Sequence, residues 1–359
     1  MSRPVVRFHD VDIVFGPRPE LALPLIDAGR TRPEIQAETG QVLGVAGATL
    51  DVHEGEVVVL MGLSGSGKST LLRAVNGLNR VIRGETLVDD GEALVDPQRC
   101  SASKLRELRM RRVAMVFQQF ALLPWRTVAE NVGFVLELAG VAAAERRRRV
   151  AEQLEMVGLA SWGDHRVDQL SGGMQQRVGL ARAFATRAPI LLMDEPYSAL
   201  DPLIRARLQD ELLELQARFR CTIVFVSHDL DEALKIGNRI AIMEGGRIVQ
   251  CGTPQEIVLR PANDYVADFV AHMNPLNVLR AREVMRAVAG GASGDHVALD
   301  ADPQWTAPAA RTVVAPLDAP LRSLIRARLA SGRPVLVEEA GRVVGEVDDE
   351  AILSALLRR

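Results

Sequence analysis

A nine-residue stretch in the first quarter of the chain has the composition and spacing of a phosphate-binding loop. Its residues are Gly62, Leu63, Ser64, Gly65, Ser66, Gly67, Lys68, Ser69 and Thr70. They fit the pattern G-x-x-x-x-G-K-[ST], in which glycines let consecutive backbone N–H groups curl around an anion. Lys68 can reach the β- and γ-phosphates, and the Ser69 hydroxyl can hold Mg²⁺. These residue types therefore predict binding of a nucleoside triphosphate.

The sequence on either side of this loop provides the structural context that the motif requires. The apolar run Val57–Met61 predicts a buried parallel strand, and the residues from Leu71 predict the start of a helix. A helix N-terminus adds positive potential to the site. A glycine- and serine-rich turn that matches by chance is the alternative, and the flanking elements argue against it.

A second group of chemically capable residues follows another predicted strand. The apolar run Ile190–Asp194 ends in one carboxylate, and Glu195 supplies another. In a parallel sheet, ligands bind at the carboxyl ends of the strands. Asp194 can then support the Mg²⁺ shell, while Glu195 can orient and polarise an attacking water. An acidic strand end leading into a turn is the alternative, which the phosphate loop makes less credible.

A pair of glycines precedes another predicted helix. Ser171, Gly172 and Gly173 stand in the sequence Leu-Ser-Gly-Gly-Met-Gln-Gln-Arg, which would again present backbone N–H groups to an anion. By residue type alone, this segment could equally be an ordinary helix start.

The order of predicted elements indicates how these residues are positioned. Strands alternate with helices over most of the chain, which predicts a largely parallel sheet in an α/β fold. Residues 101–185 are mostly helical in pattern, and residues 17–44 form an insertion with two short predicted helices and no evident catalytic group. We expect this insertion to pack on the core or to contact a partner.

The overall composition excludes several other classes of protein. The chain has 359 residues, a net charge of −3 and a pI near 6.1, which gives no support for nucleic acid as a partner. Its three cysteines are far apart, so neither a disulfide framework nor a metal site is predicted. With no signal peptide and no apolar run long enough to span a bilayer, we expect a cytosolic protein that acts at a membrane only through a partner.

Taken together, the phosphate loop, the Leu-Ser-Gly-Gly-x-Gln-Gln-Arg segment and the strand ending in Asp-Glu resemble the nucleotide-binding subunit of ABC transporters. The resemblance covers roughly residues 5–275. It implies a P-loop ABC-type nucleotide-binding domain over residues 1–275, with a RecA-like core and a helical subdomain at about 101–185. It also implies ATP hydrolysis to ADP and phosphate, with ATP and Mg²⁺ bound at the phosphate loop.

The resemblance assigns roles to further residues by position. Gln118 matches the glutamine that senses Mg²⁺ and the attacking water, which makes it a candidate metal ligand beside Ser69 and Asp194. His228 matches the histidine that contacts the γ-phosphate, so that Glu195, His228, Gln118 and Lys68 form the implied catalytic set. Phe15 matches the aromatic residue that stacks on adenine, although Phe8 and Phe15 could both be core residues.

The resemblance also implies an assembly. Residues after Gln118 through Asn131 match the surface that docks on transmembrane permease subunits, and the segment from Ser198 to Asp201 matches the one that crosses to a dimer partner. Two copies would close head to tail on two ATP molecules, with the phosphate loop of one copy facing Ser171 and Gly173 of the other.

Several segments resemble one branch of these subunits, which takes up quaternary amines such as choline, glycine betaine and proline. They are the insertion at 17–44 and the runs at 62–67 and 199–205. The runs at 123–128, 261–266 and 272–275 are most like those of choline importers within this branch. This implies a periplasmic or lipid-anchored solute-binding protein as an indirect partner and a peripheral location on the cytoplasmic face of the inner membrane. Nitrate or sulfonate import, and a non-transport switch ATPase, remain alternatives.

The C-terminal residues differ in character from the rest. Residues 276–311 predict a linker, and residues 312–359 resemble a single small α+β CBS-like regulatory unit with the order strand, helix, strand, strand, helix. Asp318 is predicted to cap the first helix of this unit, whose apolar face would consist of Leu321, Leu324, Ile325 and Leu329. Where nucleotide-binding members have Thr and Asp, this chain has Asp348 and Ala351. A packing or dimerisation role for this unit is therefore at least as well supported as ligand binding.

Overall fold

A computed structural model describes residues 3–271, 276, 278–288, 296–299 and 311–357. The chain forms two compact units, one of residues 1–229 and 236–251 and the other of residues 230–235 and 252–359. Within the described residues, no helix combines the length and the apolar character needed to cross a membrane.

The first unit contains two sheets. The strands up to residue 252 are β1 (Pro4–Phe15), β2 (Val42–His53), β3 (Val57–Met61), β4 (Arg83–Asp89), β5 (Leu94–Val95), β6 (Val113–Val116), β7 (Ile190–Asp194), β8 (Thr222–Val226), β9 (Arg239–Glu244) and β10 (Arg247–Gly252). The four-stranded sheet has the order β2-β1-β4-β5, and its neighbouring strands are antiparallel. Arg7 of β1, for example, stands opposite Asp51 of β2 and Leu87 of β4.

The six-stranded sheet has the order β10-β9-β3-β8-β7-β6 and positions the candidate site. From β9 to β6 all neighbouring strands are parallel, as predicted from the alternation of strands and helices. Every residue of β3, β7 and β8 is buried, which explains their continuous apolar sequences. The carboxyl ends of β3, β6, β7 and β8 therefore meet at one edge of the sheet.

The helices of the first unit are α1 (Leu23–Asp27), α2 (Arg32–Thr39), α3 (Lys68–Leu72), α4 (Ala102–Glu107), α5 (Val128–Leu138), α6 (Ala143–Met156), α7 (Gly172–Thr186) and α8 (Pro202–Phe219). The mostly helical character predicted for 101–185 is confirmed. Helix α3 begins at Lys68, three residues before the predicted start at Leu71. Its first residue therefore belongs to the phosphate loop itself.

The insertion at 17–44 packs on the first sheet, as expected. A short 3-10 turn (Pro19–Ala22) leads into α1, and α2 begins with a capping box between Thr31 and Glu34 and ends at Gly40. The left-handed φ of Gly40, 70°, is typical of a helix C-terminus. Its buried apolar residues form a separate cluster with residues of β1 and β2: Val14, Ala22, Ile26, Ile35, Leu43 and Ala46.

The second unit contains α9 (Leu230–Ile236), α10 (Pro254–Leu259), α11 (Asp264–Val270), α12 (Ala281–Val284), β11 (Arg286–Ala287), β12 (His296–Ala298), β13 (Thr312–Pro316), α13 (Leu321–Ser331), β14 (Val335–Glu339), β15 (Arg342–Val347) and α14 (Asp349–Leu357). The strands form one sheet with the order β11-β15-β14-β13-β12. From β13 to α14 the elements follow the predicted order of strand, helix, strand, strand, helix.

Two details of this unit differ from the sequence interpretation. Helix α13 begins at Leu321 with Pro320 at its N-cap, so Asp318, the expected cap, lies outside the helix. Part of the segment predicted as a linker is built into the core, because Leu279, Ala281 and Val284 are buried with residues of β13, α13 and β14. The boundaries at 275 and 311 stay a prediction.

Candidate functional site

The phosphate loop has a backbone that only glycine accommodates at two of its positions. Gly62 and Gly67 have φ of 139° and 104°. A Cβ added at Gly62 would lie 2.1 Å from the Met243 carbonyl oxygen, and one at Gly67 would lie 2.5 Å from the Gly44 carbonyl oxygen. A side chain at either position would therefore force the loop away from its neighbouring strands.

Lys68 lies over this loop and is almost fully buried, with 5% of its surface exposed. Its ammonium group donates hydrogen bonds to the carbonyl oxygens of Gly62 (2.8 Å) and Leu63 (3.0 Å). Burial lowers the pKa of Lys68, while the nearby carboxylates of Glu195 and Asp194 oppose that shift. Its charge is thus held over the loop, where it can meet the anionic end of a triphosphate.

Asp194 is fully buried at the end of β7 and accepts hydrogen bonds on both carboxylate oxygens. The Ser69 hydroxyl donates to Oδ1 at 2.6 Å, and Arg73 Nη2 donates to Oδ2 at 2.8 Å. The two residues that were each predicted to serve a Mg²⁺ site are thus in contact. Arg73, one helical turn beyond Ser69, was not identified from the sequence because nothing in its local pattern reveals a partner so distant along the chain.

The donor set at Ser69 and Asp194 fits Mg²⁺. This ion prefers oxygen ligands, usually keeps several waters, and is commonly held by one or two carboxylates together with substrate phosphates. Among the described residues there is no cluster of three or more His, Cys, Asp or Glu side chains that could hold a metal unaided. The site therefore suits a cation that arrives with a nucleotide.

Glu195 lies beside two of the other three predicted catalytic side chains, Gln118 and His228. Its Oε2 accepts a hydrogen bond from Gln118 Nε2 at 3.3 Å and lies 3.5 Å from His228 Nδ1. The Glu195 backbone has φ of 48°, a conformation that is uncommon outside glycine. It is held by the backbone of β8, since the Glu195 N–H donates to the Val226 carbonyl oxygen at 3.1 Å. Such strain is found mainly at functional sites.

The glycine-pair segment lies against the loop that follows Glu195. The Ser171 hydroxyl caps α7 by accepting from the Met174 N–H, and a Cβ added at Gly173 would meet the Ala199 carbonyl oxygen at 3.2 Å. Gln176 completes this contact: its amide accepts from the Ala199 N–H (3.1 Å) and donates to the Glu195 carbonyl oxygen (3.4 Å). Gln176 belongs to the motif, but nothing in its local pattern distinguishes it from the neighbouring residues.

Asp201 acts within this chain as a helix cap. Its Oδ1 accepts hydrogen bonds from the N–H groups of Leu203 (3.1 Å) and Ile204 (3.0 Å) at the start of α8. The cap fixes where the segment from Ser198 ends. Its expected contact with a second copy stays a prediction.

The two phenylalanines of β1 have different environments. Phe8 is fully buried, whereas 43% of Phe15 is exposed. Both Phe15 and Thr70 lie close to Gly44, where an added Cβ would meet the Phe15 ring and the Thr70 methyl group at 2.9 Å each. An exposed ring next to the end of the phosphate loop is compatible with adenine stacking, and Phe8 is a core residue.

The loop after Gln118 leads to a groove in the helical region. Asn131 holds this loop by accepting from the Leu123 N–H at 2.7 Å and donating to the Thr127 carbonyl oxygen at 2.9 Å. The groove, of about 940 Å³, lies between α5 and α6 and has Trp125 at its wall, with 65% of that side chain exposed. An exposed tryptophan beside a groove is typical of a protein-binding surface.

Comparisons with known proteins agree with this geometry. The profile of the family described as ABC transporter matches residues 45–198, and one described as AAA domain, putative AbiEii toxin, Type IV TA system, matches residues 163–234. A solved dimeric ATP-binding cassette bound to ADP and Pi has a TM-score of 0.60 and 30% identity, covering 69% of this chain and 98% of that one. These matches confirm the predicted fold class.

Three relatives are informative about the subfamily. The glycine betaine/proline betaine transport ATP-binding protein ProV of Salmonella typhimurium is 51% identical over 273 residues, 76% of this chain and 67% of that protein. The glycine betaine transport ATP-binding protein OpuAA of Bacillus subtilis is 47% identical over 78% of this chain and 66% of its own length. The trimethylamine N-oxide transport ATP-binding protein TmoW of Ruegeria pomeroyi is 41% identical over all of this chain and 98% of its own.

Proposed function

Because the chain belongs to the ATP-binding subunits of ABC transporters, which hydrolyse ATP to power transport, we propose that it drives import of a small methylated amine. The observation that carries the proposal is the match to TmoW along the entire chain, including the C-terminal unit. Together with the identity to ProV, this match favours trimethylamine N-oxide or glycine betaine as solute. Choline, predicted from the sequence, is the next candidate, and the comparisons favour neither the nitrate and sulfonate type nor a switch ATPase.

The residues at the sheet edge would divide the work of hydrolysis. Lys68 and the N–H groups of the loop would bind the β- and γ-phosphates, and Phe15 would stack on the adenine ring. Ser69 and Asp194, with Gln118 as a further ligand, would hold Mg²⁺, which supplies charge neutralisation to the phosphates. Glu195 would accept a proton from the attacking water, with Gln118 and His228 fixing the direction of its carboxylate.

Assembly is the second part of the proposal. Two copies would close head to tail, so that Ser171, Gly172 and Gly173 of one copy face the phosphate loop of the other. The groove at Trp125 would receive a permease subunit on the cytoplasmic face of the membrane, and a solute-binding protein would act on the far side. The run His272–Pro275, which contributed to the choline assignment, lies outside the described residues.

The direct test is to reconstitute the chain with its permease and solute-binding protein in vesicles and to measure ATP hydrolysis. We expect stimulation by trimethylamine N-oxide or glycine betaine. Stimulation by choline alone would instead support choline as the solute, as predicted from the sequence. Hydrolysis that is unaffected by any methylated amine would contradict the proposal.

A matched pair of variants tests the groove. Trp125→Ala should weaken co-purification with the permease while leaving ATP affinity unchanged, because none of the proposed nucleotide-binding residues lines the groove. Leu138→Ala removes another exposed apolar side chain, 58% exposed at the end of α5, which is not among the groove residues. Equal retention of the permease by both variants would count against the groove as the surface that binds the permease.

A further inference from the structure

One side chain of the insertion reaches the backbone of the phosphate loop. Arg32, the first residue of α2, donates hydrogen bonds from its two terminal nitrogens to the carbonyl oxygens of Gly65 and Gly44. Its Nη2 is also 3.2 Å from the Cβ position of Gly67 and of Gly246. A single guanidinium therefore joins the middle of the phosphate loop to the end of β2 that carries Gly44.

Among the described residues, no acidic side chain forms an ion pair with Arg32. In the part of the chain that the structure describes, its polar contacts are with carbonyl oxygens, and its Nε is buried without a hydrogen-bond partner. Burial lowers the pKa of Arg32, yet an arginine remains charged under physiological conditions. Because Arg32 is partly buried, its charge is incompletely hydrated, and an anion placed near it gains from the interaction.

The neighbouring arginine of the insertion has a different environment. Arg30 is exposed and pairs with Glu34 at 3.1 Å. Exposed pairs of this kind contribute little to stability. Arg32 therefore differs from an ordinary surface charge, because its guanidinium group bonds to backbone carbonyl oxygens and not to a neighbouring carboxylate.

From these contacts we propose that Arg32 is a positioning residue of the nucleotide site. By bridging the carbonyl groups of Gly65 and Gly44, it fixes the orientation of the peptide units in the loop. Their N–H groups, which point away from the carbonyl oxygens, then converge on the phosphates. Its charge is complemented by the triphosphate that binds there. The inference rests on the proposed role of residues 62–70 as the ATP site, and it gives the insertion a function in nucleotide binding beyond packing.

The test is to measure the affinity of the full-length chain for Mg·ATP and for AMP in Arg32→Ala, Arg32→Gln and Arg32→Lys, with Arg30→Ala as the matched control. Hydrogen bonds to charged groups are strong enough that we expect Arg32→Ala and Arg32→Gln to bind ATP at least about tenfold more weakly. AMP affinity should change little, because AMP has no β- or γ-phosphate. Arg32→Lys should be intermediate, since an ammonium keeps the charge but not the two-armed geometry.

The kinetic signature separates positioning from catalysis. Arg32→Ala should raise KM for ATP while kcat at saturating ATP is retained. Unchanged ATP affinity in both Arg32→Ala and Arg32→Gln would overturn the proposal. An equal loss of ATP and AMP affinity together with a lower Tm would also overturn it, because that result indicates general destabilisation of the fold. Unchanged ATP affinity in Lys68→Ala would instead show that the ATP site itself is misplaced, so the two failures are distinguishable.

Discussion

The Ser69 hydroxyl donates a 2.6 Å hydrogen bond to Oδ1 of Asp194, a residue 125 positions further along the chain. The contact is possible because β3, which precedes the phosphate loop, and β7, which ends at Asp194, are both neighbours of β8 in the parallel sheet. It brings the two oxygen donors of the proposed Mg²⁺ site together. Arg73 holds the second carboxylate oxygen, so the orientation of Asp194 is fixed from both sides.

Replacing Asp194 by Asn should raise the Mg²⁺ concentration needed for ATP hydrolysis by about tenfold or more, because the variant loses a charged oxygen ligand near the ion. The measurement is hydrolysis as a function of Mg²⁺ at fixed ATP. Asp51→Asn is the matched control, since Asp51 also pairs with an arginine, Arg7 at 2.7 Å, but on the first sheet. An unchanged Mg²⁺ requirement in Asp194→Asn would contradict the assignment.

Replacing Lys68 by Ala should weaken ATP binding and stop transport, because the variant removes the charge that meets the β- and γ-phosphates. Equilibrium binding of ATP to the purified chain is the measurement. Lys104→Ala is the control, since Lys104 is a surface lysine paired with Asp90 at 2.7 Å. The assigned role of Lys68 fails if both variants bind ATP as tightly as the parent chain.

The pH dependence of binding follows from the environment of Lys68. Burial lowers its pKa from 10.5, and bound phosphate groups would raise it again, so that protons are taken up on binding. ATP affinity should therefore be highest below the pKa of Lys68 in the free chain and decline as pH rises through that pKa. Titrations from about pH 7 to pH 10 should show the decline in the parent chain and not in Lys68→Ala. The same decline in the variant would assign it to another group.

Deleting residues 312–359 should leave ATP hydrolysis per folded molecule intact while reducing solubility. The reason is that Leu279, Ala281 and Val284 are buried against this segment and would become exposed. The control is a chain that ends near residue 270, which lacks those apolar residues as well. Hydrolysis and light scattering of both truncations check the prediction, and a folded truncation that cannot bind ATP would refute the proposed division at 275 and 311.

Much of the site was predictable because most of its functional residues occur in short local motifs. The phosphate loop and the Asp194–Glu195 pair each occupy a few consecutive residues, and the structure brings Glu195, Gln118 and His228 together as expected. The roles of Arg73 and Arg32 depend on partners distant in sequence, which no local pattern reveals.

The interior of the fold shows the same limit. Leu329 was expected on the buried face of α13 with Leu321 and Leu324, yet it is 78% exposed, and Ala327 and Ser331 take that face. The helical period of apolar residues predicts which side of a helix is buried, but the packing of neighbouring elements determines how wide the buried face is. Likewise, the alternation of apolar and polar residues along β1 does not predict that Phe8 is buried and Phe15 is exposed.

Glu195 is the residue on which the proposed mechanism depends most. Its carboxylate lies within reach of Gln118 and His228, and its backbone is held in a left-handed conformation at the end of β7. Glu195→Gln keeps the size and hydrogen-bonding shape of the side chain but removes its negative charge and basicity. A positioned general base contributes about 10²–10⁴ in rate, or roughly 3–5 kcal/mol.

The most direct measurement is single-turnover hydrolysis by Glu195→Gln, with size-exclusion chromatography in the presence of ATP. Binding of Mg·ATP should survive, because it depends on Lys68, Ser69 and the loop backbone. Hydrolysis should fall by at least roughly a hundredfold, and closed dimers with trapped ATP should accumulate. Hydrolysis at nearly the parent rate would contradict the account and make His228 the leading candidate for the base.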